Sequence, residues 1–154
     1  MANATTRAVW QTFGRAGYFV YQSPKGGLYK ILNAFTAGLV AGAATVDMLA
    51  PAESPATAPL GIQALDYVNF GLWVQCAGGG PSVTMKLILS WDDVAADYAV
   101  PETGGSLITI ADTLVHVVAV TPVLMPWLRL RAVGGVGNSP DTTVTANLIL
   151  AAEA

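Results

Sequence analysis

From Tyr67 to Trp91 the apolar residues fall on alternate positions. Val68, Phe70, Leu72, Val74 and Cys76 lie on one side of the first run, with Tyr67, Asn69, Gly71, Trp73 and Gln75 on the other. After Gly78-Gly79-Gly80-Pro81 the alternation resumes, setting Val83, Met85, Leu87, Leu89 and Trp91 against Thr84, Lys86, Ile88 and Ser90. A period of two marks strands with one buried face, and the glycine-proline cluster marks a turn. Together they predict an antiparallel hairpin in which Ala77 faces Ser82. The pairs are then Cys76 with Val83, Val74 with Met85, Leu72 with Leu87, Phe70 with Leu89, and Val68 with Trp91. A slip of one residue would set Val74 opposite Thr84 and Leu72 opposite Lys86, on opposite faces. The outward face pairs Trp73 with Lys86, a cation–π contact of roughly 0.5–1 kcal/mol. A lone hairpin is marginal in water, so further strands must cover its apolar side.

The rest of the chain supplies them. Gly17 to Gln22 reads as a strand, Leu28 to Asn33 as a further strand or a helical turn, and Val46 to Leu49 as the end of a strand. The Gly/Ala-rich run from Ala37 to Ala44 has no usable period. Pro51 to Pro59 holds three prolines in nine residues and reads as a linker. It divides an irregular leading portion, 1–59, from a regular one, 60–154, within what reads as one compact domain. Asp92 to Gly105 is a loop by composition. Ser106 to Ile110 and Thr113 to Thr121 are strands. Trp127 to Val133 alternates, with Leu128, Leu130 and Ala132 inward and Trp127, Arg129 and Arg131 outward. Thr142 to Ala151 alternates too, with Val144, Ala146, Leu148 and Leu150 inward. These last two predict a second hairpin, with Arg129 and Arg131 over Thr145 and Asn147. Short alternating strands, Gly/Pro turns and no amphipathic helix give an all-β antiparallel sandwich, jelly-roll-like, with an irregular N-terminal arm.

Composition changes the picture in one respect. Charged residues make up 11% of the chain and hydrophobic ones 53%, whereas an average soluble protein carries roughly 25% charge. So little charge implies that part of the outside is covered by copies of the chain or by a partner. The most apolar run, Ala34 to Val46, is far short of the roughly 20 residues that span a bilayer. No signal peptide is evident in the first residues. Residues 1–46 carry four bases and no acid, and residues 47–154 carry three bases against ten acids. A basic leading segment on an acidic body is expected to act as a docking arm. Four dispersed bases do not make a nucleic-acid stripe.

Candidate chemistry is sparse. Cys76 is the single cysteine, which leaves no intrachain disulfide, and its place on an apolar strand face predicts a buried, inert thiol. His116, the one histidine, reads as a strand residue with a satisfied hydrogen bond rather than a catalytic or metal-binding group. Asp92, Asp93, Asp97 and Glu102 share a loop without the spacing of an EF-hand, and read as solvated acids. The glycine loops lack the Gly-Lys-Ser/Thr ending of a phosphate site. No catalytic residue, metal or cofactor is expected, and the reading is of a binding protein rather than an enzyme. Trp73 and Trp127 are expected on the outside, either as a sugar-stacking platform or, preferably, as interface anchors.

The C-terminal portion resembles the β-sandwich structural proteins of tailed-bacteriophage virions. The residues that carry the resemblance are Val83 to Asp93, then Pro126-Trp-Leu-Arg-Leu-Arg131, then Asn138-Ser-Pro-Asp-Thr-Thr-Val-Thr-Ala146, within Tyr67 to Ala151. The resemblance implies a head decoration (cement) protein or a related neck or tail protein located in the virion. Its partners would be its own copies, as a homo-oligomer with a trimer favoured, and the major capsid protein or another virion protein. No nucleic acid, membrane or small-molecule substrate is implied. The expected interface residues are Arg7, Trp10, Arg15, Tyr67, Trp73, Ile88, Trp127, Arg129 and Arg131. A carbohydrate-binding or receptor-binding module of a tail protein is the alternative. A secreted hydrolase's accessory domain is a third reading, disfavoured by the missing signal peptide.

Overall fold

A computed structural model describes residues 18–22, 28–47, 61–63, 69–120 and 125–151. Backbone positions alone are described for 18–22, 28–37 and 63. The strands are β1 (Tyr18–Gln22), β2 (Leu28–Leu39), β3 (Thr45–Asp47), β4 (Ile62–Gln63), β5 (Asn69–Ala77), β6 (Val83–Ser90), β7 (Ser106–Ile110), β8 (Val115–Val120), β9 (Trp127–Gly134) and β10 (Thr143–Ala151). The first sheet runs β1-β2-β10-β5-β8 and the second β3-β9-β6-β7, with β4 also paired to β9. Every pairing is antiparallel. The orders β2-β10-β5-β8 and β3-β9-β6-β7 are those of two interlocked Greek keys, so the sandwich is a jelly roll.

The inward faces are those that the alternation predicts. Phe70, Leu72, Val74 and Cys76 of β5, Val144, Ala146, Leu148 and Leu150 of β10, Val83, Met85 and Leu87 of β6, and Leu128, Leu130 and Ala132 of β9 are buried together. The strand partners differ from the expectation. β5 and β6 lie in different sheets: β5 pairs with β10 and β8, and β6 with β9 and β7. The expected hairpin register from Cys76–Val83 to Val68–Trp91 therefore does not form. The glycine loop is an arch that carries the chain from one layer to the other, and the two apolar faces meet across the core. The β9–β10 connection behaves likewise. Arg129 and Arg131 lie beside β6, whereas Thr145 and Asn147 lie beside β5. Trp73 and Lys86 fall on the outsides of opposite sheets, which rules out their expected cation–π contact.

Two open readings are decided and one element departs from expectation. Residues 28–33, expected as a further strand or a helical turn, are strand, the first half of the twelve-residue β2 beside β10. Ala37 to Ala44 splits into the end of β2 and a turn. At the end of β6 the burial pattern shifts phase: Ile88 is buried and Leu89 half-buried, and Trp91, expected inside, is 68% exposed. The Pro51–Pro59 segment lies outside the described residues.

Asn138 locks the two arches together at one end of the sandwich. Its Nδ2 donates to the carbonyls of Val40 at 2.9 Å and Ser82 at 3.0 Å, and its Oδ1 accepts from the Ser82 amide at 2.8 Å. Beside it, a Cβ on Gly134 would stand 2.5 Å from the carbonyl oxygens of both Val40 and Gly42. Only glycine lets β9 pass so close beneath the β2–β3 turn.

Candidate interaction surfaces

The outer face of the second sheet collects four of the sequence-predicted residues. Register sets Ile88 opposite Arg129, Lys86 opposite Arg131 and Ser90 opposite Trp127. β3 brings Asp47 opposite Arg131. Arg131 Nε and Nη2 donate to the two Asp47 carboxylate oxygens at 2.6 and 3.1 Å, and Arg129 Nη1 stands 3.7 Å away. The Arg129 guanidinium also lies 5.3 Å from the centre of the Tyr98 ring, a cation–π geometry. The bidentate hydrogen bond from Arg131 holds the Asp47 carboxyl below its usual range, and burial opposes it only in part.

The Asp92–Gly105 loop folds back onto this face. Ala99 bridges Leu89, so Tyr98 shares the outward side with Ile88. The Tyr98 hydroxyl donates to Asp93 Oδ1 at 2.5 Å, and the Gly61 amide donates to the same oxygen at 2.9 Å. Burial, with the neighbouring Asp93 carboxylate, pushes the Tyr98 phenol well above its usual range. Ile88, expected on a wet surface, is 0% exposed because its own chain covers it. Two of the four acids of this loop have structural work: Asp93 ties Tyr98 to Gly61, and Asp92 accepts from Ser90 Oγ at 3.0 Å, while Asp97 and Glu102 are exposed. Among the described residues, no group of three His, Cys, Asp or Glu side chains is placed to hold a metal ion.

A pH prediction arises from Asp47. Its carboxyl titrates lower in the folded protein than the ordinary 3.8 of the unfolded chain. The ion-pair stabilisation is therefore complete above that value and is lost as pH falls through the lower folded value. Asp47→Asn should cost about 1 kcal/mol at neutral pH. It should also remove this part of the stability loss under acid. Urea unfolding of both proteins at neutral pH and near pH 3 checks this, and an unchanged gap between them at the two pH values would refute it.

The outer face of the first sheet is different in character. Trp73 is half-buried, between Asn147 of β10 and Val117 of β8 by register. Asn69 and Gln75 share its face, and Gln75 Nε2 donates to the Thr113 carbonyl at 3.0 Å. At the sheet's edge Val117 is 76% exposed and Val115 49%. His116 sits opposite core residue Val74, but at the open edge, where Nε2 lies 2.8 Å from Asp112 Oδ1. That is the satisfied strand histidine that the sequence predicts. Cys76 is buried as expected, and desolvation pushes its thiol up to about 11.

Trp73 and Trp127 occupy the outsides of opposite sheets and so form no joint platform. Arg7, Trp10, Arg15 and Tyr67 lie outside the described residues. The β8 edge and Trp91 were not singled out from the sequence. The signal for the edge is nevertheless there: from Thr103 to Leu128 the only formally charged residue is Asp112. Among the described residues, no helix is long and apolar enough to cross a membrane, which does not bear on β-barrel insertion.

No protein-family model and no curated protein matches the chain. Solved structures similar to it include a family 29 carbohydrate-binding module complexed with mannohexaose, at 13% identity and TM-score 0.38, covering 88% of this chain and 77% of that one. The VP2 subviral particle of infectious bursal disease virus is similar at 13% identity and TM-score 0.45, covering 89% of this chain and 33% of that one. Tobacco streak virus coat protein is similar at 8% identity and TM-score 0.42, covering 86% and 90%. Viral capsid proteins and a carbohydrate-binding module thus both appear, at a distance too great to choose a function between them.

Proposed function

We propose that this protein is a structural virion component that works by binding rather than turnover. It would act as a head decoration (cement) protein, or a neck or tail protein of the same kind, burying apolar surface between its own copies and on the capsid. The carrying observation is the combination of 11% charge with large apolar side chains left on the outside: Val117, Leu114, Val115 and Trp91 are 76, 66, 49 and 68% exposed. A surface of this kind calls for a partner. The residue pattern that resembles phage β-sandwich proteins suggests which assembly, and the leading residues 1–16, with Arg7 and Arg15, serve as the docking arm, since β1, β2 and β3 belong to the two sheets. In this reading a homo-oligomer, a trimer by preference, sits over the shell.

Trp73 carries the second reading. An aromatic ring beside the amides of Gln75 and Asn147, with Asn69 further along the same face, is a chemistry that stacks on and hydrogen-bonds a sugar. Light scattering on the eluting protein, with tryptophan fluorescence titrated against oligosaccharides, separates the two. The virion reading expects an oligomer with no sugar response. Removing residues 1–16 should then weaken particle binding. A monomer whose fluorescence is quenched by a sugar overturns it.

A further inference from the structure

The edges of the two sheets are not equally guarded. In the second sheet β3 spans three residues and β4 two, and β7 pairs with β6 through a bulge between Met85 and Lys86. Short strands and bulges discourage the addition of another strand. β8 closes the first sheet and has none of these devices. It holds an unbroken register on β5 from Gln75–Val115 to Phe70–Val120, and it contains no lysine and no proline. Among the described residues, nothing pairs with its free side. Such an edge presents unpaired backbone donors and acceptors in a row, beside exposed Val115 and Val117.

We propose that β8 pairs antiparallel with β8 of a second copy, about a twofold axis at Val117, joining two first sheets into one continuous sheet. The proposal rests on the self-association half of the function given above, and it replaces the preferred trimer with a twofold pair. The strand is complementary to itself. Residues directly opposite in an antiparallel pair share a face, so the axis must pass through a residue. Centring on Val117 stacks all three outward apolar residues: Val117 on Val117 of the second copy, and Val115 on Ala119 in both directions. Centring on Val118 would stack only Val117 on Ala119. The axis at Val117 also sends the two Asp112 carboxylates, the only formal charges between Thr103 and Leu128 of each copy, to opposite ends of the joined strands, so they do not oppose the contact. The outward row then continues from Trp73 of one copy, through the paired valines, to Trp73 of the other.

Directly opposite residues have Cβ atoms roughly 4.5–5.5 Å apart, within reach of a disulfide. Cys76 is 1% exposed and so contributes no background. Under mild oxidation, Val117→Cys should give a disulfide-linked dimer at least about fivefold more readily than Val115→Cys, whose mate is Ala119. Val117→Lys, at an exposed position, should halve the mass of the assembly by light scattering while the circular dichroism spectrum and unfolding midpoint stay close to wild type. A wild type that is monomeric at every concentration overturns this contact together with self-association. An assembly that persists while Val117→Cys fails to link overturns the contact alone. The same holds if Val117→Lys disperses the assembly without such a link, which would give the edge to another segment, such as residues 1–16 of a neighbour.

Discussion

Asn138→Ala is expected to destabilise the protein by about 3 kcal/mol, lowering the unfolding midpoint by roughly 6–12 °C for a chain of this size. Asn138 is 8% exposed and bonds three backbone groups that belong to two other segments, the end of β2 at Val40 and the β5–β6 arch at Ser82. Alanine leaves the Ser82 amide and the Val40 carbonyl without that partner, whereas the Ser82 carbonyl still accepts from the Gly135 amide at 2.7 Å. Each of the two buried polar groups left unmatched costs about 1–3 kcal/mol, and partial access of water at this end of the sandwich keeps the total in the lower half of that sum. Asn138→Asp makes the test sharper. It keeps an acceptor for the Ser82 amide but turns a carboxylate toward two carbonyl oxygens, so it should cost at least as much as alanine. If both substitutions shift the midpoint by less than about 2 °C, the clamp is not what holds the arches.

The second large effect is expected in the core. Leu130→Ala should cost about 2–5 kcal/mol. Leu130 is 0% exposed on β9, a strand with partners on both sides, and its register mate on β6 is Leu87. Strands held on both sides cannot readily close over a lost isobutyl group, which places the expected cost in the upper half of that range. Leu87→Ala in the same background should show a coupling of at least about 0.5 kcal/mol with Leu130→Ala, since residues in contact share one cavity. Urea unfolding of the four proteins in the cycle measures it. Additive losses would contradict the assignment of Leu87 and Leu130 to adjacent strands of one sheet.

That assignment marks the limit of what the sequence discloses. Alternation tells which face of a strand is buried, and on β5, β9 and β10 every inward residue with a described side chain is where the pattern puts it. It does not tell which strand lies alongside. Matching Cys76 with Val83 and Leu72 with Leu87 satisfies the same apolar rule whether the two strands are neighbours in a sheet or face each other across a core. What decides between these arrangements is the loop. Gly78 takes φ +107°, and a Cβ there would stand 2.8 Å from the Thr142 Cα of the other arch. The arch is thus fixed by a neighbour more than sixty residues away, which no local pattern contains. Ile88 eluded the pattern for a related reason. Its face is outward, but the following loop folds back along that side, where Tyr98 is pinned by Asp93 and meets Arg129, the register mate of Ile88. Among the expected interface residues, Arg129 and Arg131 were legible as outward, whereas their joint hold on Asp47 was not, because Asp47 reaches them only through the pairing of β3 with β9.

The central place of β10 has a consequence for how the chain comes to be folded. β10 stands between β2 and β5, joining Gly38 to Val144 and Cys76 to the same residue. The first sheet therefore has no middle until residue 151 has been made. A ribosome adding roughly 5–20 residues per second holds β2 and β5 as unjoined apolar strands for several seconds. Acquisition of structure is consequently expected after synthesis rather than during it, on the slow millisecond-to-second scale of chains whose partners are far apart in sequence. In that interval the exposed strands are vulnerable to aggregation, and a holding chaperone or a low rate of production would raise the yield of native protein.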